Sequence, residues 1–277
     1  MTQTESPVLA LLRQTHTAAA QVRRLTDGQK TALLNDLAEA VLQNQAPILA
    51  ANAEDLARMP RTDPKWDRLL LTEGRLENLA DAIRAVAQLP DPTGQVLLEK
   101  TLPNGLNLRK VAVPMGVVGI IYEARPNVTL DVTALCLRSG NAAALRGGSD
   151  AYATNSVLVG LIGDVLANHG IAREAVSLLP PDRELVKNML TATRYLDLII
   201  PRGSDSLIQF VRRHSLVPTI ETGAGVVHTY VEKTAELAKA RAIVVNARVS
   251  RPSVCNSLDC LLVDEAIAPQ FLPMLND

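Results

Sequence analysis

The sequence predicts an α/β fold in which helices cover both faces of a parallel sheet. From residue 116 onward, apolar runs of strand length alternate with helical patterns. The run at 116–122 is apolar throughout, whereas a strand with one face in water alternates between apolar and polar residues. The 277 residues provide enough chain for one large domain or two smaller ones.

Residues 1–94 are expected to form a helical layer that belongs to the same domain as the sheet and has no chemistry of its own. Leu33 and Leu37 are part of a helical repeat that marks one apolar face. Pro47 is expected to end or kink that helix, and Thr72 is placed to cap a later one.

Residues 95–113 predict a projecting β-hairpin. Two apolar runs flank Pro103, Asn104 and Gly105, and an Asn-Gly pair between such runs is a strong hairpin signal. A hairpin that projects from its domain can pair with another subunit through its free strand edges, which makes this segment a candidate oligomerisation element. A hairpin that packs on its own domain fits the sequence equally well.

Residues 114–225 are expected to form the domain that holds the parallel sheet, with residues 217–220 as a further candidate strand. In such sheets ligands bind beyond the carboxyl ends of the strands. That rule selects five loops, at 123–127, 146–150, 180–182, 201–205 and 221–225.

A second α/β unit is expected at 226–277. Strand patterns at 226–231 and 258–263 enclose a helix and then the loop that carries Cys255. These elements are too few to cover both faces of their own sheet. We therefore expect this second domain to be truncated in the chain.

Composition argues against several functional classes. Basic and acidic residues balance, 28 against 29, which argues against a nucleic-acid surface or a polybasic membrane anchor. No apolar run approaches the ~20 residues of a transmembrane helix, and the first residues do not resemble a secretory signal. Three irregularly spaced cysteines and four scattered histidines predict neither disulfides nor a metal site, and they favour a reducing cytoplasm.

Two loops of the predicted sheet are suited to a nucleotide. Each combines an arginine with glycine at a strand-to-helix junction, where glycine lets a phosphate approach the backbone and the helix offers free N–H groups. Either loop alone would be an ordinary turn, because neither carries a complete dinucleotide or P-loop motif. Two such loops on one sheet favour a nucleotide site. The residues are Arg146, Gly147, Gly148, Ser149, Pro201, Arg202, Gly203 and Ser204.

Three further residues are candidates for chemistry. Asn127 follows the first sheet strand and could donate a hydrogen bond to an oxyanion or cap the next helix. Glu221 could act as a base or bond to the glycine turn that follows it. The loop around Cys255 fits both a nucleophile and an ordinary loop thiol. Cys136 and Cys260 lie in apolar patterns and are expected in the core.

These motifs together resemble the γ-glutamyl phosphate reductase family of the aldehyde dehydrogenase superfamily. The similarity runs in the family's order from about residue 8 to the end of the chain. It is carried by V-A-V-P-M-G-V-V-G-I-I-Y-E-A-R-P-N-V-T (111–129), A-L-R-G-G-S-D-A (144–151), L-I-I-P-R-G-S (198–204), E-T-G-A-G-V-V-H-T-Y-V (221–231) and R-P-S-V-C-N (251–256). Family members commonly have Cys in place of Val227, Gly in place of Ser204 and Glu in place of Asp259, and they continue beyond a position like Asp277.

The resemblance implies an aldehyde-dehydrogenase-like fold, with a Rossmann-type cofactor domain that binds NADP and a catalytic domain. It implies the NADPH-dependent reduction of L-glutamyl 5-phosphate to L-glutamate 5-semialdehyde and phosphate, the second step of proline biosynthesis from glutamate. Cys255 would form a thioester, Asn127 would hold the oxyanion, and Glu221 falls at the superfamily's base position. Ser149 replaces a superfamily carboxylate that binds the adenine ribose, which favours NADP over NAD.

The resemblance also bears on substrate and partners. Charge and position make Arg125, Arg251 and Asn256 the candidates for binding the substrate's carboxylate or phosphate. A homo-oligomer is implied, with glutamate 5-kinase as a candidate partner. Two alternatives stay open: an inactive or partner-dependent cofactor-binding fragment of that enzyme, and another thiol aldehyde dehydrogenase, such as a CoA-acylating one.

Overall fold

The computed structural model of the chain describes residues 6–63, 65–123, 125–221, 225–250, 252, 254 and 256–276, without the side chains of Arg183 and Glu184. The chain divides into two compact units, Met1–Glu221 and Thr222–Asp277. The first unit contains the helical layer, the hairpin and a parallel sheet. The second is a smaller α/β unit.

The helical layer precedes the first strand, as the sequence predicts. Its helices are α1 (Pro7–Arg23), α2 (Asp27–Gln43), α3 (Gln45–Ala57), α4 (Trp66–Leu69) and α5 (Glu73–Ala87). Thr26 forms a capping box with Gln29, and Thr72 accepts a hydrogen bond from the backbone N–H of Arg75. The helix break that was expected at Pro47 lies a few residues earlier, between Gln43 and Gln45. Pro47 lies in the first turn of α3, where its missing N–H leaves no helical hydrogen bond unmade.

The predicted hairpin is present as strands β1 (Val96–Thr101) and β2 (Asn107–Val111), paired antiparallel. Gly105, in the connecting loop, has a φ of 84°, in the left-handed region that favours glycine. Every residue of both strands is exposed. The alternative in which the hairpin packs on its own domain is therefore wrong.

Both faces of the hairpin carry charged side chains, and one of them also carries two exposed leucines. On one face, Glu99 and Arg109 lie opposite each other and form an ion pair at 2.8 Å. The other face carries Leu98 opposite Lys110 and Leu108 opposite Lys100, and the two leucines are 50% and 49% exposed. The hairpin therefore presents apolar side chains to the surroundings of the unit.

The parallel sheet contains β3 (Val117–Tyr122), β4 (Ala142–Arg146), β5 (Val176–Leu178) and β6 (Leu198–Arg202), in the spatial order β5-β4-β3-β6. The helices that alternate with them are α6 (Pro126–Arg138), α7 (Tyr152–Asn168), α8 (Arg183–Leu190) and α9 (Asp205–His214). All of β3 is buried, as its continuous apolar run predicts. The candidate strand at 217–220 is only a single bridge between Thr219 and Ile199.

Helices cover both faces of this sheet, which confirms the predicted architecture. Successive residues of β3 point to opposite faces, as strand geometry requires. Ile120 belongs to a buried cluster with side chains of α2, α5, α6 and α7. Its neighbour Ile121 belongs to a second cluster with side chains of α1, α8 and α9.

The second unit contains β7 (His228–Val231), α10 (Leu237–Val249), β8 (Cys260–Val263) and α11 (Ala268–Phe271), with the two strands parallel. Its small core is formed by Val231, Val244, Leu258 and Phe271. Across the residues that the structure describes in both units, no helix is long and apolar enough to cross a membrane.

A buried lysine ties the helical layer to the base of the hairpin. The Lys30 ammonium is fully buried and donates hydrogen bonds to the Asp91 carboxylate at 2.7 Å and to the Thr93 hydroxyl at 3.1 Å. Burial alone would raise the pKa of the Asp91 carboxyl, but the hydrogen bonds from Lys30 and Thr93 outweigh it and lower that pKa. The Asp91 carboxylate is therefore ionised at neutral pH, and its contact with Lys30 fixes the segment between α5 and β1.

Candidate functional site

The carboxyl ends of the parallel strands bring the predicted loops to one edge of the sheet. Ile121 of β3 lies opposite Arg146 of β4, and Tyr122 lies opposite Arg202 of β6. The loops that follow these three strands are therefore neighbours. This edge holds most of the residues that the sequence singles out in the first unit.

Gly147, in the loop after β4, lies directly over a buried polar network. The Tyr122 and Thr129 hydroxyls are 2.7 Å apart, and the Thr129 hydroxyl donates to Asn155 Oδ1 at 2.7 Å. A Cβ on Gly147 would come within 2.4 Å of Asn155 Nδ2, so packing requires glycine here. Asn155 Nδ2 is buried and has no hydrogen-bond partner among the described residues. The network joins β3, α6 and α7 beneath the loop.

The helix after this loop does not offer free N–H groups throughout its first turn. The buried Asp55 carboxylate of α3 accepts hydrogen bonds from the Ala153 N–H at 3.2 Å, the Thr154 N–H at 2.8 Å and the Thr154 hydroxyl at 2.7 Å. A carboxylate thus already occupies the positive end of α7. The sequence-based expectation is wrong for these two groups because the cap comes from a distant helix.

The other residues of the β4 loop remain accessible to a ligand. The Arg146 guanidinium donates to the Pro181 carbonyl oxygen at 2.6 Å, which links this loop to the one after β5. Gly148 is half-buried, and Ser149 is exposed at the start of a short 3-10 turn. The loop therefore combines one fixed cation with an exposed hydroxyl.

The loop after β6 is packed against a carboxylate that the sequence reasoning missed. The Ser204 hydroxyl donates to Glu123 Oε1 at 2.7 Å, and a Cβ on Gly203 would lie 2.8 Å from Glu123 Cδ. Ser204 is the N-cap residue of α9 but makes no side-chain cap, whereas Pro201 and Arg202 end the strand. Glu123 follows a buried strand at the ligand-binding edge, and that position was the signal available in the sequence.

Asn127 lies inside the first turn of α6 and is not the residue that caps this helix. Arg125 is the N-cap residue and Pro126 the first helical residue, so the interpretation of Asn127 as the cap is wrong. Instead, Asn127 Nδ2 donates to the Asp131 carboxylate at 3.1 Å. Burial raises the pKa of Asp131, and the Asn127 hydrogen bond and the charge of Arg202 offset this only in part.

Glu221 lies at the end of the first unit. Its Oε1 is 3.3 Å from Arg212 Nε of α9, which makes an ion pair. Its Oε2 is buried without a hydrogen-bond partner among the residues described. The glycine turn that is its alternative partner follows it in the loop 221–225, of which residues 222–224 lie outside the described residues.

The second unit contains the predicted nucleophile. Cys255 and Arg251 lie outside the described residues, and Asn256 is exposed in a turn before β8. Of the other cysteines, Cys136 is buried, and burial raises its pKa to about 12. Cys260 is only partly buried, so the expected core position is confirmed for Cys136 alone. Within the described ranges, no group of His, Cys, Asp and Glu could hold a metal ion.

Known proteins similar to this chain share both its sequence and its fold. The γ-glutamyl phosphate reductase of Chlorobaculum parvum is 52% identical over 266 residues, which cover 96% of this chain and 63% of that protein. The crystal structure of γ-glutamyl phosphate reductase from Thermotoga maritima matches with a TM-score of 0.88 and 37% identity over 98% of this chain and 66% of that one. The γ-glutamyl phosphate reductase structure from Saccharomyces cerevisiae matches with a TM-score of 0.72 and 28% identity, over 99% of this chain and 69% of that one.

This chain spans less than two thirds of the Chlorobaculum and Thermotoga proteins, 63% and 66% of their lengths. The family model of the aldehyde dehydrogenase family matches residues 2–277, which is nearly the whole chain. The parallel sheet, the loops at its carboxyl edge and this match agree with one another. The chain belongs to the aldehyde dehydrogenase family.

Proposed function

We propose that this chain carries the cofactor-binding part and the catalytic cysteine of an enzyme that reduces L-glutamyl 5-phosphate to L-glutamate 5-semialdehyde with NADPH. This reaction would be the second step of proline biosynthesis from glutamate. The observation that carries the proposal is the convergence of the loops after β3, β4 and β6 at one sheet edge. Relatives named γ-glutamyl phosphate reductase, at about half identity, support the choice of substrate.

A dinucleotide fits this edge in one orientation. The positive end of α7 is occupied by Asp55, whereas the Ser204 side chain leaves the start of α9 uncapped. The pyrophosphate therefore belongs at Gly203 and Ser204, where backbone N–H groups and the helix dipole favour an anion. Glu123, which now contacts Ser204, would turn away as phosphate binds. The adenosine ribose and its 2′-phosphate belong at residues 146–149, beside the cation of Arg146.

The residues of the chain then divide the chemistry among them. The Cys255 thiolate attacks the acyl carbon, a thioester forms, and phosphate leaves with the electrons of the broken C–O bond. The Asn127 amide donates to the oxyanion of that step. A reduced nicotinamide, when bound, would supply the hydride, and the C–S bond would then break to release the aldehyde and return its electron pair to the Cys255 thiolate. Arg125, Arg251 and Asn256 are assigned to the substrate's carboxylate and phosphate.

The reaction needs no water as a nucleophile. A base that activates water is therefore not required, and we assign Glu221 to its ion pair with Arg212 rather than to proton transfer. Two alternative functions can be distinguished from the main proposal by experiment. A CoA-acylating enzyme would need CoA for turnover, and an inactive or partner-dependent fragment would bind cofactor without turnover.

The proposal is tested by supplying the labile substrate in situ. The protein is mixed with glutamate, ATP, glutamate 5-kinase and NADPH, and NADPH oxidation is followed by absorbance. We expect oxidation that requires the kinase and yields one semialdehyde per NADPH. Oxidation that depends on CoA, or cofactor binding without turnover, would replace the proposal with the corresponding alternative.

The preference for NADPH is tested by adding charge at Ser149. The substitution Ser149→Glu places a carboxylate beside the proposed site of the 2′-phosphate, so we expect NADPH affinity to fall by about 10-fold or more. NADH lacks that phosphate, and its affinity should fall little or rise. Dissociation constants from nucleotide fluorescence give the comparison. The matched control is Ser156→Glu, a new charge at an exposed serine of α7, and equal losses in both variants would contradict the assignment.

We propose further that the hairpin pairs with a second copy of this chain, giving a homo-oligomer. Its Leu98 and Leu108 are half exposed and its strand edges are free for pairing. We expect Leu98→Lys with Leu108→Lys to lower the mass in sedimentation velocity at a given concentration. Arg109→Ala, on the face opposite these leucines, is the control with unchanged assembly. A wild-type chain that stays monomeric would contradict this proposal.

A further inference from the structure

Asp131 is a half-buried carboxylate whose hydrogen bond determines the orientation of the Asn127 amide. Asn127 and Asp131 lie one helical turn apart on α6, with 3.1 Å between Nδ2 and Oδ2. An ionised carboxylate only accepts hydrogen bonds, so the Asn127 amino group, and not its carbonyl, must face Asp131. One N–H is then engaged, and the second N–H of the same nitrogen is free to donate elsewhere.

Helix stability alone is a poor explanation for this pair. An Asn–Asp pair at this spacing can form on an exposed helix face without any desolvation of the carboxylate. Here burial raises the pKa of Asp131, which means that the charged form is disfavoured in the folded protein. Arg202, at the end of β6, is the positive charge that partly offsets this cost. A carboxyl group that is buried at a cost to its charged form is typical of functional sites.

We infer that Asp131 is a positioning residue, which holds the Asn127 amide with its second N–H toward the reacting oxyanion. The inference rests on the proposed role of Asn127. It does not assign Asp131 any contact with substrate.

The test compares three variants at neutral pH. Asp131→Asn keeps the shape but can donate as well as accept, so it no longer selects one orientation of the Asn127 amide. Asp131→Ala removes the hydrogen bond, and we expect kcat to fall by roughly 10- to 100-fold, with a smaller fall for Asp131→Asn. Asp131→Glu, which restores a carboxylate, should recover part of the loss. KM for NADPH should stay within about 2-fold throughout.

Thermal unfolding distinguishes positioning from a structural role. A carboxyl whose folded pKa is raised makes the folded state less stable once it ionises, so neutralising it at neutral pH should not destabilise the fold. We expect Asp131→Asn to unfold at the same temperature as wild type or higher, while its kcat falls. A lower unfolding temperature that parallels the loss of activity would overturn the inference. Asp81→Asn, at an exposed carboxylate of α5, is the control for both measurements.

A second measurement needs no substrate. The side-chain amide of Asn127 gives a pair of ¹H–¹⁵N signals, identified by their absence in Asn127→Ser. We expect this pair to move in Asp131→Asn and to stay in place in Asp81→Asn. An unmoved pair would overturn the inference even in an active enzyme. If the wild type shows no turnover, the proposed function fails, and these signals alone decide whether Asp131 orients Asn127.

Discussion

Replacement of Cys255 by alanine is expected to abolish NADPH oxidation with glutamyl phosphate. The proposed route depends on this one nucleophile, because the acyl group must be transferred from phosphate to a thiolate before it can accept a hydride. Loss of a covalent nucleophile typically removes nearly all turnover, and we expect a fall of at least about 1000-fold. NADPH binding should be retained, since the loops assigned to the cofactor lie in the first unit.

The other two cysteines provide matched controls for this experiment. Burial raises the pKa of Cys136 to about 12, so its thiol is neither ionised nor available at neutral pH. Cys260 is partly buried at the start of β8. Cys136→Ala and Cys260→Ala should keep most of the activity, as measured by the coupled assay and by single-turnover product formation. Normal turnover by Cys255→Ala would rule out the thioester mechanism.

Of the substitutions proposed for this protein, Asp91→Ala is expected to lower the free energy of unfolding most. It would leave the fully buried Lys30 ammonium without its carboxylate partner, and breaking a buried ion pair costs about 3–5 kcal/mol. The Asp91 side chain keeps 15% exposure, so water can reach the site, and we expect about 3 kcal/mol. Denaturant unfolding of wild type and variant measures the difference. Asp67→Ala, which breaks the exposed pair with Arg75, should cost less than about 1 kcal/mol.

The same pair predicts a dependence on pH. The folded-state pKa of Asp91 is lowered, so its contribution is fully present above the unfolded-state pKa and is lost as pH falls through the folded value. Wild type should therefore lose stability below about pH 4 more steeply than Asp91→Asn does. Parallel stability curves for the two proteins between neutral and acid pH would contradict the ion pair's role.

The sequence by itself determined the order of the elements and the sheet edge that holds the candidate site. Local signals were sufficient for this: the apolar run of β3, the Asn-Gly turn of the hairpin and the cap at Thr72 all depend on residues near in sequence. The rule that ligands bind beyond the carboxyl ends of parallel strands then predicts that Asn127 and Arg202 lie at one edge of the sheet.

Only the tertiary structure decided which polar groups are engaged, at this edge and elsewhere in the first unit. Asp55 caps α7 from 99 residues away, and Lys30 reaches Asp91 across 61 residues. Neither pair can be predicted from sequence periodicity or from neighbouring residues, because each contact forms only when separate elements pack together. Asn127 and Asp131 have helical spacing that was visible in the sequence, but the burial and nearby charge that set the pKa of Asp131 come from the packed fold. The chemistry of this edge therefore depends on long-range contacts between elements that the sequence predicts one at a time.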